Sequence, residues 1–378
     1  MKSYGLSSVS EFLGDQIVFR NLLPCDPQIP GLPDLREKLG FPADFLPRKL
    51  MSEYGKVITE MVRAARWNSD ANASLERIIY IGDTRMNDGQ AFLNICRASS
   101  WEGVIFIGAD QAGPVQIEIE QVNSETLYYA SRWKALARFE ACLAEQAFPI
   151  DEQTAVLFDL DKTILGARGR NDHVIDAKRL AAAEDTLKAA LGSEYNPDLF
   201  RDAYQLFNQA AFHPFTADNQ DYLVYICLIV SSGLISQFDL ANDIRNKQNP
   251  KFTTFLGYVD QRRGLLPERV RQIHEDVYGR VRSGDPTPFK SFRHNEFKRT
   301  VEHMGQLSEG APIDEILAEE IVITAEIRDL ALRWQEQGAI LFGLSDKPDE
   351  AVLPTAAMRE KGYLPIHQTL THVIGEEL

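Results

Sequence analysis

Four short stretches of the chain are almost continuously apolar and end in glycine, serine or an acid. They are RIIYIGD (Arg77 to Asp83), GVIFIGAD (Gly103 to Asp110), TAVLFDLD (Thr154 to Asp161) and AILFGLSD (Ala339 to Asp346). A strand with a protein layer on both faces reads this way, because alternate side chains point to opposite layers and neither layer is water. Helical patterns stand between them, at Leu93 to Ser99 and at Ser131 to Gln146. Strands alternating with helices predict an α/β fold with a Rossmann-like parallel sheet. In such sheets the chemistry sits just past the carboxyl ends of the strands.

From Val174 to Gly338 the strand pattern disappears. Helices are predicted over Asp176–Leu191, Pro197–Ala211, Gln220–Ser232, Pro267–Arg282 and Glu296–Met304, with a long one from Asp314 to Gln337 that Gly338 ends. This predicts a large α-helical domain inserted between two strands of the sheet. The expected division is a first core part over residues 1–170, a helical domain over 171–335 and a second core part over 336–378. Residues 1–45 show little periodicity and predict no element.

Composition narrows the function. With 44% apolar and 25% charged residues the chain is an ordinary globular one. Lys plus Arg number 40 against 55 Asp plus Glu, a formal charge of −15. That field repels nucleic-acid phosphates and anionic lipid, so neither partner is expected, while a small anionic substrate needs only one basic pocket or a bound metal. Cys25, Cys96, Cys142 and Cys227 form no CxxC pair and predict reduced thiols. The longest apolar run, Tyr222 to Val230, is about half of the roughly 20 residues a membrane span needs. The first residues carry acids and no apolar h-region. The expectation is a soluble cytoplasmic protein.

Three strand ends carry candidate chemistry. VLFDLDKT places Asp159 and Asp161 two apart at a buried strand end, with Thr163 two further on. A carboxylate there can attack phosphorus, and two close carboxylates stay ionised only beside a cation. YIGDTRMNDG offers Asp83 and Asp88 on a second strand end, where Gly82 would allow a tight turn. Acids from two strand ends can meet around one hard cation. ILFGLSDKPDEAV ends a strand at Ser345 near a helix start, an arrangement suited to a phosphoryl oxygen and equally to a helix cap.

Together these motifs resemble the haloacid-dehalogenase (HAD) superfamily of phosphatases and phosphotransferases. The resemblance covers the sheet strands, about half the chain, and SDKPDEAVLPTAAMREKGY is similar to the segment after the Ser/Thr in phosphoglycolate-phosphatase-like members. It implies Asp159 as nucleophile, Asp161 as general acid and base, and Ser345 with Thr163 and a lysine as phosphate binders. It implies magnesium as cofactor, held by Asp159, by the backbone at Asp161, by Asp83 and by Asp88 through water. An acid at position 161 implies phosphomonoester chemistry. A phosphomutase or phosphotransferase would use the same residues, and a non-catalytic HAD-fold binding protein is the remaining alternative.

The motif order departs from the family. The acidic motif comes first, DLDKT second and Ser345 last, which implies a circular permutation, tolerated where it opens a surface loop. If the cut falls after the family's third strand, Val373 and Ile374 should lie beside the Ile340 to Leu344 strand. The family's lysine should then lie in LPRKLMSEYGKVITEMVRAAR, Leu46 to Arg66, a predicted helix with Lys49 and Lys56 on its polar face. The residues leave both open. The inserted domain stands where the family carries its cap domains, which close over the site as lids. Two basic clusters could contact a substrate: Arg168, Arg170 and His173 after Thr163, and Lys290, Arg293 and His294 in the helical stretch.

Overall fold

The structure, a computed structural model, describes residues 1–247 and 251–377. Leu378, the last residue of the expected second core part, lies outside them. The described residues form ten strands: β1 (Lys2–Ser7), β2 (Ile17–Val18), β3 (Arg77–Gly82), β4 (Glu102–Gly108), β5 (Ile117–Val122), β6 (Glu125–Ala130), β7 (Thr154–Asp159), β8 (Ile323–Thr324), β9 (Ile340–Leu344) and β10 (Thr371–Gly375). The four apolar runs became β3, β4, β7 and β9, with every residue of β3, β7 and β9 buried.

The main sheet has seven strands in the order β2-β9-β7-β3-β4-β6-β5. All its neighbours are parallel except β5, which folds back antiparallel on β6. The chain is therefore α/β with a mostly parallel sheet, compatible with a Rossmann-like fold. Alternation along the strands divides two cores. Ile79, Ile81, Val156 and Phe158 face a layer holding Phe139 and Trp334, while Ile78, Tyr80, Ala155 and Leu157 face one holding Val57, Ile58, Met61 and Phe92. The second layer contains the Ser52–Ser69 helix, whose apolar positions match the pattern expected for Leu46 to Arg66, though the helix starts later.

Three expectations are corrected. Val373 and Ile374 do not lie beside β9. β10 pairs with β1 and β8 in a separate three-stranded sheet, and the strand beside β9 is β2. The predicted helix from Asp314 to Gln337 breaks into Ile313–Glu319 and Ala325–Glu336, because the β-branched run Ile321 to Thr324 takes the strand β8 between them. The helical domain is also shorter than 171–335. The chain divides into one unit of 1–177 with 300–378 and a second of 178–299.

The second unit is helical over its described residues. Its core gathers Phe200, Phe207, Phe255 and Leu256 around the Gln220–Ser231 helix, whose residues Leu223 to Val230 are all buried. A helix apolar all round is a core helix. Among the described residues no helix is long and apolar enough to cross a membrane.

Candidate active site

The carboxyl edge of the main sheet brings together residues from distant parts of the sequence. Asp159 closes β7 and is 5% exposed. Its Oδ1 accepts a hydrogen bond from Lys49 Nζ at 2.6 Å, and its Oδ2 accepts one from Thr163 Oγ1 at 3.2 Å. Lys49 also donates to Asp88 Oδ1 at 2.8 Å. Lys49 sits just ahead of the Ser52–Ser69 helix, where Asn94 Nδ2 holds its carbonyl at 3.1 Å and the Met51 carbonyl at 3.0 Å. Lys56 is exposed on that helix, away from this cluster. Of the two lysines the sequence left open, Lys49 is the one whose side chain meets Asp88 and Asp159.

Asp88 opens the Asn87–Ser99 helix and turns back over the end of β3. Its Oδ2 accepts from the Asp83 and Thr84 backbone N–H groups and from Thr84 Oγ1, at 3.2, 2.9 and 2.7 Å, and Tyr80 Oη donates to its Oδ1 at 3.2 Å. Gly82 is required here for a reason other than a tight turn. A Cβ at this position would stand 2.7 Å from the Asp88 Cβ, so only glycine leaves Asp88 its place. Asp83 accepts from Arg168 Nε at 2.6 Å. The loop carrying Arg168 is pinned against the end of β4: its carbonyl accepts from the Asp110 N–H and from Trp133 Nε1. Gly169, at φ +76°, lies so close to the Asp110 carbonyl that a Cβ would overlap it at 2.0 Å.

The second aspartate is held separately. Asp161 Oδ2 accepts from Ser345 Oγ at 3.1 Å and Oδ1 faces Lys347 Nζ at 2.9 Å. Lys347 is 7% exposed, its N–H donates to Ser345 Oγ at 3.0 Å, and its carbonyl accepts from the Arg20 N–H. The Ser345 N–H donates to the Val18 carbonyl of β2 at 3.0 Å. The N-terminal segment, silent in the sequence, thus sets the edge on which Ser345 and Lys347 stand. Sequence reasoning missed Lys347 and Thr84; their signal was only proximity, two residues after Ser345 and one after Asp83.

One carboxylate oxygen from each of Asp83, Asp88 and Asp159 lies within 4.8 Å of the other two. Burial drives Asp159 well above the usual carboxylate range, with Asp88 and Asp83 adding to it and Lys49 opposing. Burial, then the Asp88 charge, pushes Asp83 up to about 7 against the pull of Arg168. Asp88 is buried as well, but Lys49 and the Thr84 hydrogen bonds hold it down at about 2. Three carboxylates against Lys49 and Arg168 leave negative charge in surplus. An all-oxygen, anionic, preformed set of this kind could hold a hard metal ion.

The remaining candidates separate. Arg170 is not placed to meet a substrate: its side chain is buried against Asp110 at 2.8 Å, Glu326 at 2.8 and 2.9 Å, and the Ile374 carbonyl at 3.2 Å. His173 is exposed on the first turn of the Asp172–Leu191 helix. Arg293 is buried within the helical unit, bound to Asp221 at 2.5 Å and Glu296 at 2.6 Å, so it too is part of the fold's own packing. In the same unit Lys290 joins Asp285 and Thr287, and His294 is half-buried. Compared with known proteins, the chain matches no family model, no curated protein and no solved structure.

Proposed function

We propose that this protein is a magnesium-dependent phosphomonoester hydrolase with a circularly permuted HAD-type core, working through an aspartyl-phosphate on Asp159. The observation that carries the reading is the meeting of Lys49, Asp83, Asp88 and Asp159 in one buried cluster, with Asp161 two residues further on, held by Ser345 and Lys347 from the neighbouring strand end. The strand order β2-β9-β7-β3-β4 supports the permutation. The resemblance requires a strand on the far side of the Ser345 strand, and β2 supplies it from the N-terminal end. The break in the family's order then falls one strand earlier than the motif order suggested, ahead of the third strand. The helical unit interrupts the chain between β7 and β9, where the family inserts its cap.

Asp159, Asp83 and Asp88 are the residues that would hold the magnesium, which when bound orients the phosphate and draws charge from it. The remaining steps belong to the chain. One Asp159 oxygen attacks phosphorus while the bond to the leaving oxygen breaks. Asp161, fixed by Ser345 and Lys347, gives that oxygen its proton, then takes one from the water that cleaves the phosphoryl–Asp159 bond. Lys49, Ser345 and Thr163 are the donors available to the phosphoryl oxygens. The test is hydrolysis of p-nitrophenyl phosphate with and without magnesium. Wild type should turn over only with the metal, and Asp159→Asn should lose at least about 1000-fold in kcat. Turnover by Asp159→Asn near the wild-type rate would refute the mechanism.

A further inference from the structure

Past Asp83 the carboxyl edge of the sheet continues into a cavity of about 390 Å³ that the reaction above does not use. Its floor follows from the strand register. Gly82 pairs with Ile107 and Gly108 with Ala130, so the last residues of β4 and β6 stand level with the end of β3. β5 doubles back along β6 and raises Gln116 and Glu118 as one wall, with Arg85 beside them. Arg168 stands at the side nearest the carboxylates. A phosphoryl group on Asp159 would border this space, because Asp83 and Asp159 oxygens lie within 4.8 Å of each other.

The lining says what would fit. Arg85 faces Glu118 at 3.9 Å, also pairs with Glu120, and stacks on Tyr129 at 4.2 Å. Arg168 is matched by Asp83 through Nε. Every guanidinium thus has its carboxylate, and no surplus positive charge remains to hold a second phosphate or a carboxylate. What is left is hydrogen-bonding capacity with no net charge behind it. Among the described residues the carboxamides of Gln111 and Gln116 and the two terminal nitrogens of Arg168 meet no protein partner. Carboxamides both donate and accept, as hydroxyl groups do.

We infer that this cavity receives the alcohol part of the phosphoester, and that this part is a neutral polyhydroxylated group, a sugar or polyol. The inference rests on the phosphatase reading and adds to it the substrate class and the element that selects it, the β5–β6 hairpin.

Two measurements separate the inference from that reading. The first needs no turnover: saturation-transfer NMR of wild type with free glucitol and glucose, and with malate and citrate as anionic competitors. Transfer to the polyols but not to the carboxylates, lost in the double variant Gln111→Leu/Gln116→Leu, is expected. No transfer to either polyol, or transfer undiminished in the double variant, overturns the inference whatever the enzyme hydrolyses. The second compares kcat/KM on hexose and hexitol monophosphates with that on p-nitrophenyl phosphate. The double variant should lower the ratio at least about ten-fold, because a hydroxyl-reading site loses its partners only on the natural class. An unchanged ratio also overturns it. A wild type that hydrolyses no phosphomonoester sinks the phosphatase reading instead, and the NMR result then decides the cavity alone.

Discussion

Two buried ion clusters in this chain use the same side-chain types and end differently. At the sheet edge Asp83, Asp88 and Asp159 stand against Lys49 and Arg168. In the helical unit Arg293 lies between Asp221 and Glu296, and Arg179 reaches Glu296 from another helix at 2.9 Å. In the second cluster, among the described residues, two guanidinium groups face two carboxylates through hydrogen bonds, Arg293 on two sides, and the set ties three helices together. In the first, a carboxylate is left over, and burial drives Asp159 and Asp83 above the ordinary carboxylate range. A matched set can serve the fold alone. A set with surplus charge is held in place by its surroundings at a cost in stability, which a bound cation would offset.

The contrast can be broken most forcefully at Arg293. Arg293→Met leaves Asp221 and Glu296 buried without that cation and should cost about 3–5 kcal/mol of stability by denaturant unfolding. A loss below about 1 kcal/mol would remove the cluster from any structural role. The sheet-edge cluster should respond in the opposite sense. Asp83 binds its proton up to about pH 7 in the folded chain and only to about pH 4 when unfolded. Between those values the folded state holds more protons, so stability of the metal-free chain should fall as pH rises from about 4 to about 7. Asp83→Asn should remove Asp83's share of that slope, an effect of no more than about 4 kcal/mol, and leave the share of Asp159, whose carboxyl burial raises as well. A slope of equal size in the variant would show that the charge surplus lies elsewhere.

Much of this edge was legible in the sequence, and the reason is physical. A strand buried on both faces has almost no polar positions of its own, so an acid at its end stands out against the four apolar residues Ala155 to Phe158 or Ile78 to Ile81, as Asp159 and Asp83 do. β2 could not be read that way, because a two-residue edge strand has no period. Nor could the β5–β6 hairpin, since the exposed alternation of Glu118, Ile119 and Glu120 gives a weak signal. Arg170 and Arg293 were misread for another reason. Spacing does not distinguish a guanidinium aimed at a ligand from one consumed by Asp110 and Glu326, or by Asp221 and Glu296.

The two lysines sharpen the point at smaller scale. Lys49→Ala should lower kcat on p-nitrophenyl phosphate about 100-fold, because it removes an ammonium that touches both Asp88 and Asp159. Lys56→Ala, at an exposed position of the adjoining helix, should change activity less than two-fold and stability by no more than about 0.5 kcal/mol. Equal effects of the two variants would contradict the assignment of Lys49.

The central claim is that Asp159 carries the phosphoryl group. It is tested most directly by acid-quenching the wild-type protein during magnesium-supported turnover of p-nitrophenyl phosphate and mapping the peptide that contains Asp159 by mass spectrometry. A phosphoryl adduct on Asp159, absent without substrate and absent in Asp159→Asn, is the predicted result. Sustained turnover with the adduct on another residue would contradict the account.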